Sequence, residues 1–113
     1  LAHGTAAMFN MAVDYQFERR IPPVVNDADA TARALKAATE VFGKNVLTRF
    51  PPSTAGDDFS FFGQNAPGCY VWLGNGPAVD GALHHNTAYD FNDEAIAHGI
   101  SYWVHLAESR LAA

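Results

Sequence analysis

Leu83-His84-His85-Asn86-Thr87-Ala88-Tyr89-Asp90-Phe91-Asn92-Asp93-Glu94 places two histidines and three acids within twelve residues, directly ahead of an amphipathic helix. Imidazoles and carboxylates on a short loop, held by a helix start, are what a hard or borderline cation such as zinc or manganese needs. The loop holds too few ligands of suitable geometry to close a site by itself. A single-metal site from His84, His85, Asp90 and Asp93 is disfavoured, because neighbouring side chains on an extended loop point in opposite directions. The remaining ligands are not evident elsewhere in the 113 residues.

Downstream of this loop, Ile96, Ile100, Trp103, Val104, Ala107 and Leu111 recur at helical spacing and predict a helix over 93–111 that packs by that stripe. Asn92 or Asp93 caps it, and the acids of the first turn suit the helix dipole. His98 and His105, about two turns apart, fall on the side away from Ile96 and Ile100 and read as solvated.

Upstream, residues 11–19 alternate, with Met11, Val13, Tyr15 and Phe17 on one face and Ala12, Asp14, Gln16 and Glu18 on the other. This is the period of a half-buried strand, and Pro22-Pro23 ends it because proline cannot donate to a sheet ladder. Asn26 and Asp27 then offer cap oxygens to a helix reaching about Phe42, with an apolar stripe of Ala30, Ala34, Leu35, Ala38, Val41 and Phe42. Gly43 stands in the left-handed stop position.

Residues 45–50 have the content of a short strand, ended by Pro51-Pro52. Asp58-Phe59-Ser60-Phe61-Phe62 reads as a short helix capped by an acid. After the Pro67-Gly68 turn, Cys69-Tyr70-Val71-Trp72-Leu73 is a continuous apolar run suited to a sheet covered on both faces, with the thiol buried. Gly74, Gly76, Pro77 and Gly81 make the next segment a loop.

An apolar fraction of 49% with 17% charged residues is that of an ordinary globular chain, which excludes disorder. With a net charge of -5 and Arg19-Arg20 as the only basic pair, no surface exists to neutralise phosphates, which sets nucleic acid and anionic membrane aside. No apolar run approaches the roughly 20 residues that span a bilayer, and the opening lacks the order of a signal peptide. The lone Cys69 rules out an internal disulfide and suits a reducing compartment, so the chain reads as soluble and cytoplasmic. It opens on Leu1 with a segment resembling the tail of a helix, as a fragment would.

The zinc-protease helix, nucleophile-elbow, phosphate-loop and Cys-x-x-Cys motifs are absent. Ser60, His85 and Asp90 supply the residue types of a serine triad, but without an elbow that combination carries no weight. Two clusters remain, Gly56-Asp57-Asp58-Phe59-Ser60 and the His84-His85 loop. Each by itself reads as a helix cap or a polar loop; in order they read as more.

With Pro22-Pro23-Val24-Val25-Asn26-Asp27 before them, Pro67-Gly68 and Leu73-Gly74 between them, and Tyr89-Asp90-Phe91-Asn92-Asp93-Glu94 after them, the chain resembles the C-terminal part of the M20 metallopeptidase family. The likeness is to its amidohydrolase branch of hippurate, N-acyl-amino-acid and auxin-conjugate hydrolases. It implies an α/β fold: a fragment of a helix-flanked mixed sheet, the C-terminal part of a di-metal hydrolase catalytic domain, preceded by the last strand of a smaller lid domain. Residues 1–21 would end the inserted lid and dimerisation domain, and residues 22–113 would form the C-terminal segment of the catalytic domain.

The resemblance implies amide hydrolysis by a metal-activated water, with two divalent ions (zinc, manganese, cobalt or nickel) in the complete enzyme. The family's last ligand lies in a His-Asn-Pro-x-Tyr-Asp-Phe pattern, which maps onto His85, with Thr87 where the proline is common and His84 as competitor. Asp57-Asp58-Phe59 matches a family Glu-Asp-Phe with Asp57 one carbon shorter; its other reading is a helix cap. No catalytic residue falls within this chain, since the general base and the other ligands belong to an N-terminal segment. The isolated chain should therefore neither hold the ions tightly nor turn over substrate. The implied substrate is a small N-acyl amino acid, and the implied assembly a homo-oligomer through the lid. The rival reading is a non-catalytic α/β interaction or scaffold domain whose His-rich loop is structural.

Overall fold

A computed structural model of the chain describes residues 1–77 and 81–112. Among the described residues are four α-helices, α1 (Ala2–Met8), α2 (Ala28–Phe42), α3 (Phe59–Gly63) and α4 (Glu94–Leu111), with a 3-10 turn at Gly43–Asn45. None of the helices is long and apolar enough to cross a membrane.

Helix α2 begins where an aspartate can cap it. The Asp27 backbone is extended, and its Oδ1 accepts the Ala30 amide at 2.8 Å, satisfying one of the donors left over at a helix start. At the far end Gly43 has φ 58° but ψ -118°, so the expected left-handed stop is corrected to the mirror image of the β region. Only glycine adopts that region freely, and from it the chain turns directly into the 3-10 segment. Helix α1 ends in a Schellman closure with Asn10 at φ 52°: the Met11 amide donates to Ala6 O at 2.9 Å and the Asn10 amide to Ala7 O at 3.1 Å.

The core lies between α2 and α4. All four buried apolar residues among those described are on these two helices, Ala34 and Ala37 on one and Ala95 and Tyr102 on the other. Phe42 stacks on Tyr102 with centroids 6.3 Å apart and meets the edge of His98 at 6.0 Å. At the same seam His105 Nε2 is 2.7 Å from Glu40 Oε2.

This corrects the expected orientation of α4. Ile96, Ile100, Trp103 and Val104 are half or more exposed, while on the other side His98, exposed as expected, meets Phe42 of α2, and His105, half-buried, pairs with Glu40 of α2. The helix carries two stripes. A small and aromatic one through Ala95, Gly99 and Tyr102 allows close approach to its neighbours, whereas the branched stripe is left half or more exposed.

Apart from Asn45, which ends the 3-10 turn, the three segments expected as strands carry neither helix nor sheet ladder among the described residues. Tyr15 and Phe17 still stack, 6.5 Å apart at 5°, as side chains two apart on one face of an extended chain do. Residues 69–73 run beside the start of α2, where one side chain does the work of a neighbouring strand. Asn26 donates from Nδ2 to Tyr70 O at 3.0 Å and accepts the Tyr70 amide at 2.8 Å. The Asp27 amide donates to Gly68 O at 2.9 Å. Cys69, expected buried, is half-buried, and its sulfur receives the Thr31 hydroxyl at 3.6 Å. The middle of the loop expected over 74–81 lies outside the described residues.

Candidate metal-ligand loop

The His loop is two successive turns. The Asn86 amide donates to Leu83 O at 3.1 Å, which puts His84 and His85 at the two central positions. His85 has φ 68° and His84 does not have positive φ, the φ pattern of a type II turn. Histidine is among the few non-glycine residues enriched in the left-handed region. The Tyr89 amide closes the second turn on Asn86 O at 3.0 Å, and Asn86 Oδ1 accepts the Ala88 amide at 2.9 Å.

Because the loop turns rather than extends, the two imidazoles lie together, with centroids 5.1 Å apart and edge to face. The expectation that they point in opposite directions is thereby corrected. His84 also packs against the Trp72 indole at 6.2 Å. His85 is exposed, and its ring nitrogens make no hydrogen bond or ion pair among the described residues.

Asn92 rather than Asp93 starts α4 with its side chain. Its Oδ1 accepts the Glu94 amide at 3.1 Å and its carbonyl the Ala95 amide at 2.9 Å, while the Asp93 side chain makes no cap bond. The acids of the loop do not converge on the histidines. Among the described residues no three of His, Cys, Asp or Glu come together as a metal site, so a site from His84, His85, Asp90 and Asp93 alone is not formed. The chemistry of the donor set fits a divalent ion in one respect: an exposed imidazole with both nitrogens uncommitted fills one coordination position. The described residues supply no further ligand beside it.

The second cluster is organised by Asp57. Its Oδ1 accepts the Phe59 amide at 2.8 Å, its carbonyl accepts the Ser60 hydroxyl at 2.8 Å, and its Oδ2 accepts the Tyr70 phenol at 3.0 Å. Asp58, the acid expected to cap the short helix, makes no side-chain cap bond. The Asp57 bond, with burial and the Asp57 and Asp58 charges behind it, pushes the Tyr70 phenol above its ordinary value. Ser60 is buried and committed to the Asp57 carbonyl, and no hydrogen bond joins it to His85 or Asp90 among the described residues, so no serine triad forms.

Two hollows, of about 450 and 200 Å³, lie at residues 25–27 with 63–68 and between α2 and α4 near Arg33 and Arg110; neither touches the His loop. Sequence reasoning missed Asn75, whose Oδ1 accepts the Asn92 amide at 2.9 Å, and the partners of Asn26 and Tyr70. Asparagine beside glycine signals a turn, which hides a role in tying two segments together.

Residues 5–109 match the model of peptidase family M20/M25/M40. A Rhodococcus jostii (strain RHA1) protein named as a glutamate–cysteine ligase is 31% identical over 98 residues, 83% of this chain and 12% of that protein. The hippurate hydrolase of Campylobacter jejuni is 34% identical over 87 residues, 76% of this chain and 22% of the relative. The N-acetylcysteine deacetylase of Bacillus subtilis (strain 168) is 26% identical over 107 residues, 95% of this chain and 27% of the relative. The chain thus spans less than a third of the length of the curated relatives it matches. No solved structure matches it.

Proposed function

The chain belongs to peptidase family M20/M25/M40, and from that premise we propose that it is the C-terminal portion of a metal-dependent amidohydrolase cleaving small N-acyl amino acids, with His85 as its one metal ligand. The observation that carries this is the presentation of His85: an exposed imidazole whose nitrogens have no partner among the described residues, set in a left-handed turn ahead of α4. The names of two relatives supply the substrate class, hippurate for one and N-acetylcysteine for the other. Both are amides of an acyl group with an amino acid.

When bound, two divalent ions, zinc, manganese, cobalt or nickel, would supply Lewis acidity toward the amide carbonyl and toward water. His85 would offer a ring nitrogen to one of the ions. His84, leaning on Trp72, is spent on packing. The Asn86 amide closes the turn that holds His85, and Asn92 fixes where the loop ends and α4 begins.

Residues 1–21 are the end of a lid and dimerisation domain in this reading, and residues 22–113 belong to the catalytic domain. In support, no residue of the first segment is buried, whereas every buried residue among those described comes after it. Residues 69–73, and 45–50 before them, are the strands of a mixed sheet whose neighbours come from the rest of the protein. The compartment is the cytoplasm, where the lone thiol of Cys69 stays reduced.

The test uses the longest natural protein that contains these residues. It should hydrolyse N-benzoylglycine or N-acetylcysteine, lose that activity to a chelator and regain it with zinc, manganese, cobalt or nickel. The isolated 113 residues should show no turnover. Hydrolysis unchanged by complete chelation, or none of either substrate in the metal-loaded protein, would overturn the proposal.

A further inference from the structure

The His85 ring finds no hydrogen-bond acceptor among the described residues, whereas a ligating histidine ordinarily has its second nitrogen held by one. Its aim has to come from the backbone turn and from what grips that turn. Among the described residues, two contacts from the run that follows Cys69 grip the loop. At one end the Trp72 indole packs on His84, 6.2 Å away, and His84 in turn packs on His85 at 5.1 Å. At the other end Asn75 Oδ1 accepts the Asn92 amide at 2.9 Å. The approach there is close, since a Cβ on Gly76 would sit 3.6 Å from Asn92 Nδ2.

The run is itself anchored. Asn26 pairs with both backbone groups of Tyr70. Leu73 lies against α4, so near that a Cβ on Gly99 would meet its Cδ2 at 3.3 Å. Asn26 and the α2 start, the 69–76 run, and the His loop therefore form one chain of contacts. His85 sits between the two points at which the loop is held.

We propose that Asn75 and Trp72 are positioning residues for His85, fixing the loop so that the imidazole meets its metal in one orientation. This rests on His85 being a ligand. Asn75 acts through an acceptor oxygen, so Asn75→Asp keeps the bond and Asn75→Ala removes it. Trp72 acts through a ring face, so Trp72→Phe retains part of the contact and Trp72→Leu does not.

The experiment takes the longest natural protein, stripped of metal, and titrates it with Co²⁺ while following the visible absorption band. Circular dichroism checks that each variant is folded. Asn75→Ala and Trp72→Leu should weaken cobalt binding about tenfold and shift the band, with Asn75→Asp and Trp72→Phe close to wild type. Asn75→Ser, one atom too short to reach the Asn92 amide, is read in place of Asn75→Ala if that variant does not fold. Wild-type affinity and band in Asn75→Ala (or Asn75→Ser) and Trp72→Leu, with cobalt lost only in His85→Ala, would overturn the positioning roles alone. Wild-type binding in His85→Ala would remove the ligand itself, and the positioning roles with it.

Discussion

Asp57 shows how one carboxylate holds together parts of the chain that local sequence does not connect. It closes the first turn of a five-residue helix and receives the phenol of a tyrosine thirteen positions on. Asp57→Ala should therefore cost about 1–2 kcal/mol in urea unfolding, with Tyr70→Phe costing about 1, and the double variant less than the sum. The same bond keeps the Tyr70 phenol protonated past its ordinary range. The fold favours the neutral ring, so that contribution is complete below the ordinary tyrosine value and lost as pH rises through the raised one. Ultraviolet titration should show Tyr70 ionising earlier in Asp57→Ala.

The acid before a short helix was legible as a cap, although Asp57 rather than Asp58 fills the role. Its tyrosine partner was not, because nothing local marks a pairing across thirteen residues. His85 was singled out as a candidate ligand through the pattern after it, Asn86 and then Tyr89-Asp90-Phe91. Its left-handed backbone was not, since histidine adopts that conformation only where a turn demands it.

Among the elements, the two long helices were readable nearly to the residue, because capping asparagines and aspartates and a glycine stop mark their ends. Which face of α4 packs was not readable. Both of its stripes are apolar, and the branched one carries more hydrophobic weight, yet the small one allows the closer approach to α2. Gly43→Ala should destabilise by about 1–3 kcal/mol, since its backbone lies where a Cβ is strained even with open space around it.

The seam between the helices also has a pH dependence. Glu40 is held below its ordinary value of 4.5 chiefly by the hydrogen bond from His105, which outweighs the upward pull of burial, with the charges of Lys36 and His105 adding less. A depressed carboxyl stabilises fully above its unfolded value, and the contribution is lost as pH falls through the folded one. Thermal unfolding of wild type and Glu40→Gln should thus converge below about pH 4.5 and separate above it.

On the scale of the whole molecule, the chain is far too open to be a finished domain. Its radius of gyration is 20.0 Å, where a compact chain of this length would have about 13 Å. It exposes 9958 Å² where a compact monomer of this mass would expose about 6,100 Å². Trp72, Ile96, Ile100, Trp103 and Val104 contribute to the excess. The isolated chain should therefore self-associate, with a mass by light scattering that rises with concentration. Ile100→Glu with Val104→Glu should bring it toward the monomer, whereas a monodisperse wild-type monomer would speak against a missing remainder. The segments expected as strands have the alternation or apolar content of strands, but a ladder needs a neighbour. In the proposed reading, that neighbour comes from the rest of the protein.

The central claim is that His85 is a metal ligand in a larger hydrolase. The most direct check is the metal content of the longest natural protein and of its His85→Ala variant, both folded and dialysed against the same buffer, by elemental analysis. His85→Ala should lose bound metal relative to wild type, together with hydrolysis of N-benzoylglycine. Equal metal content and equal hydrolysis in the two proteins would show that His85 is not a ligand.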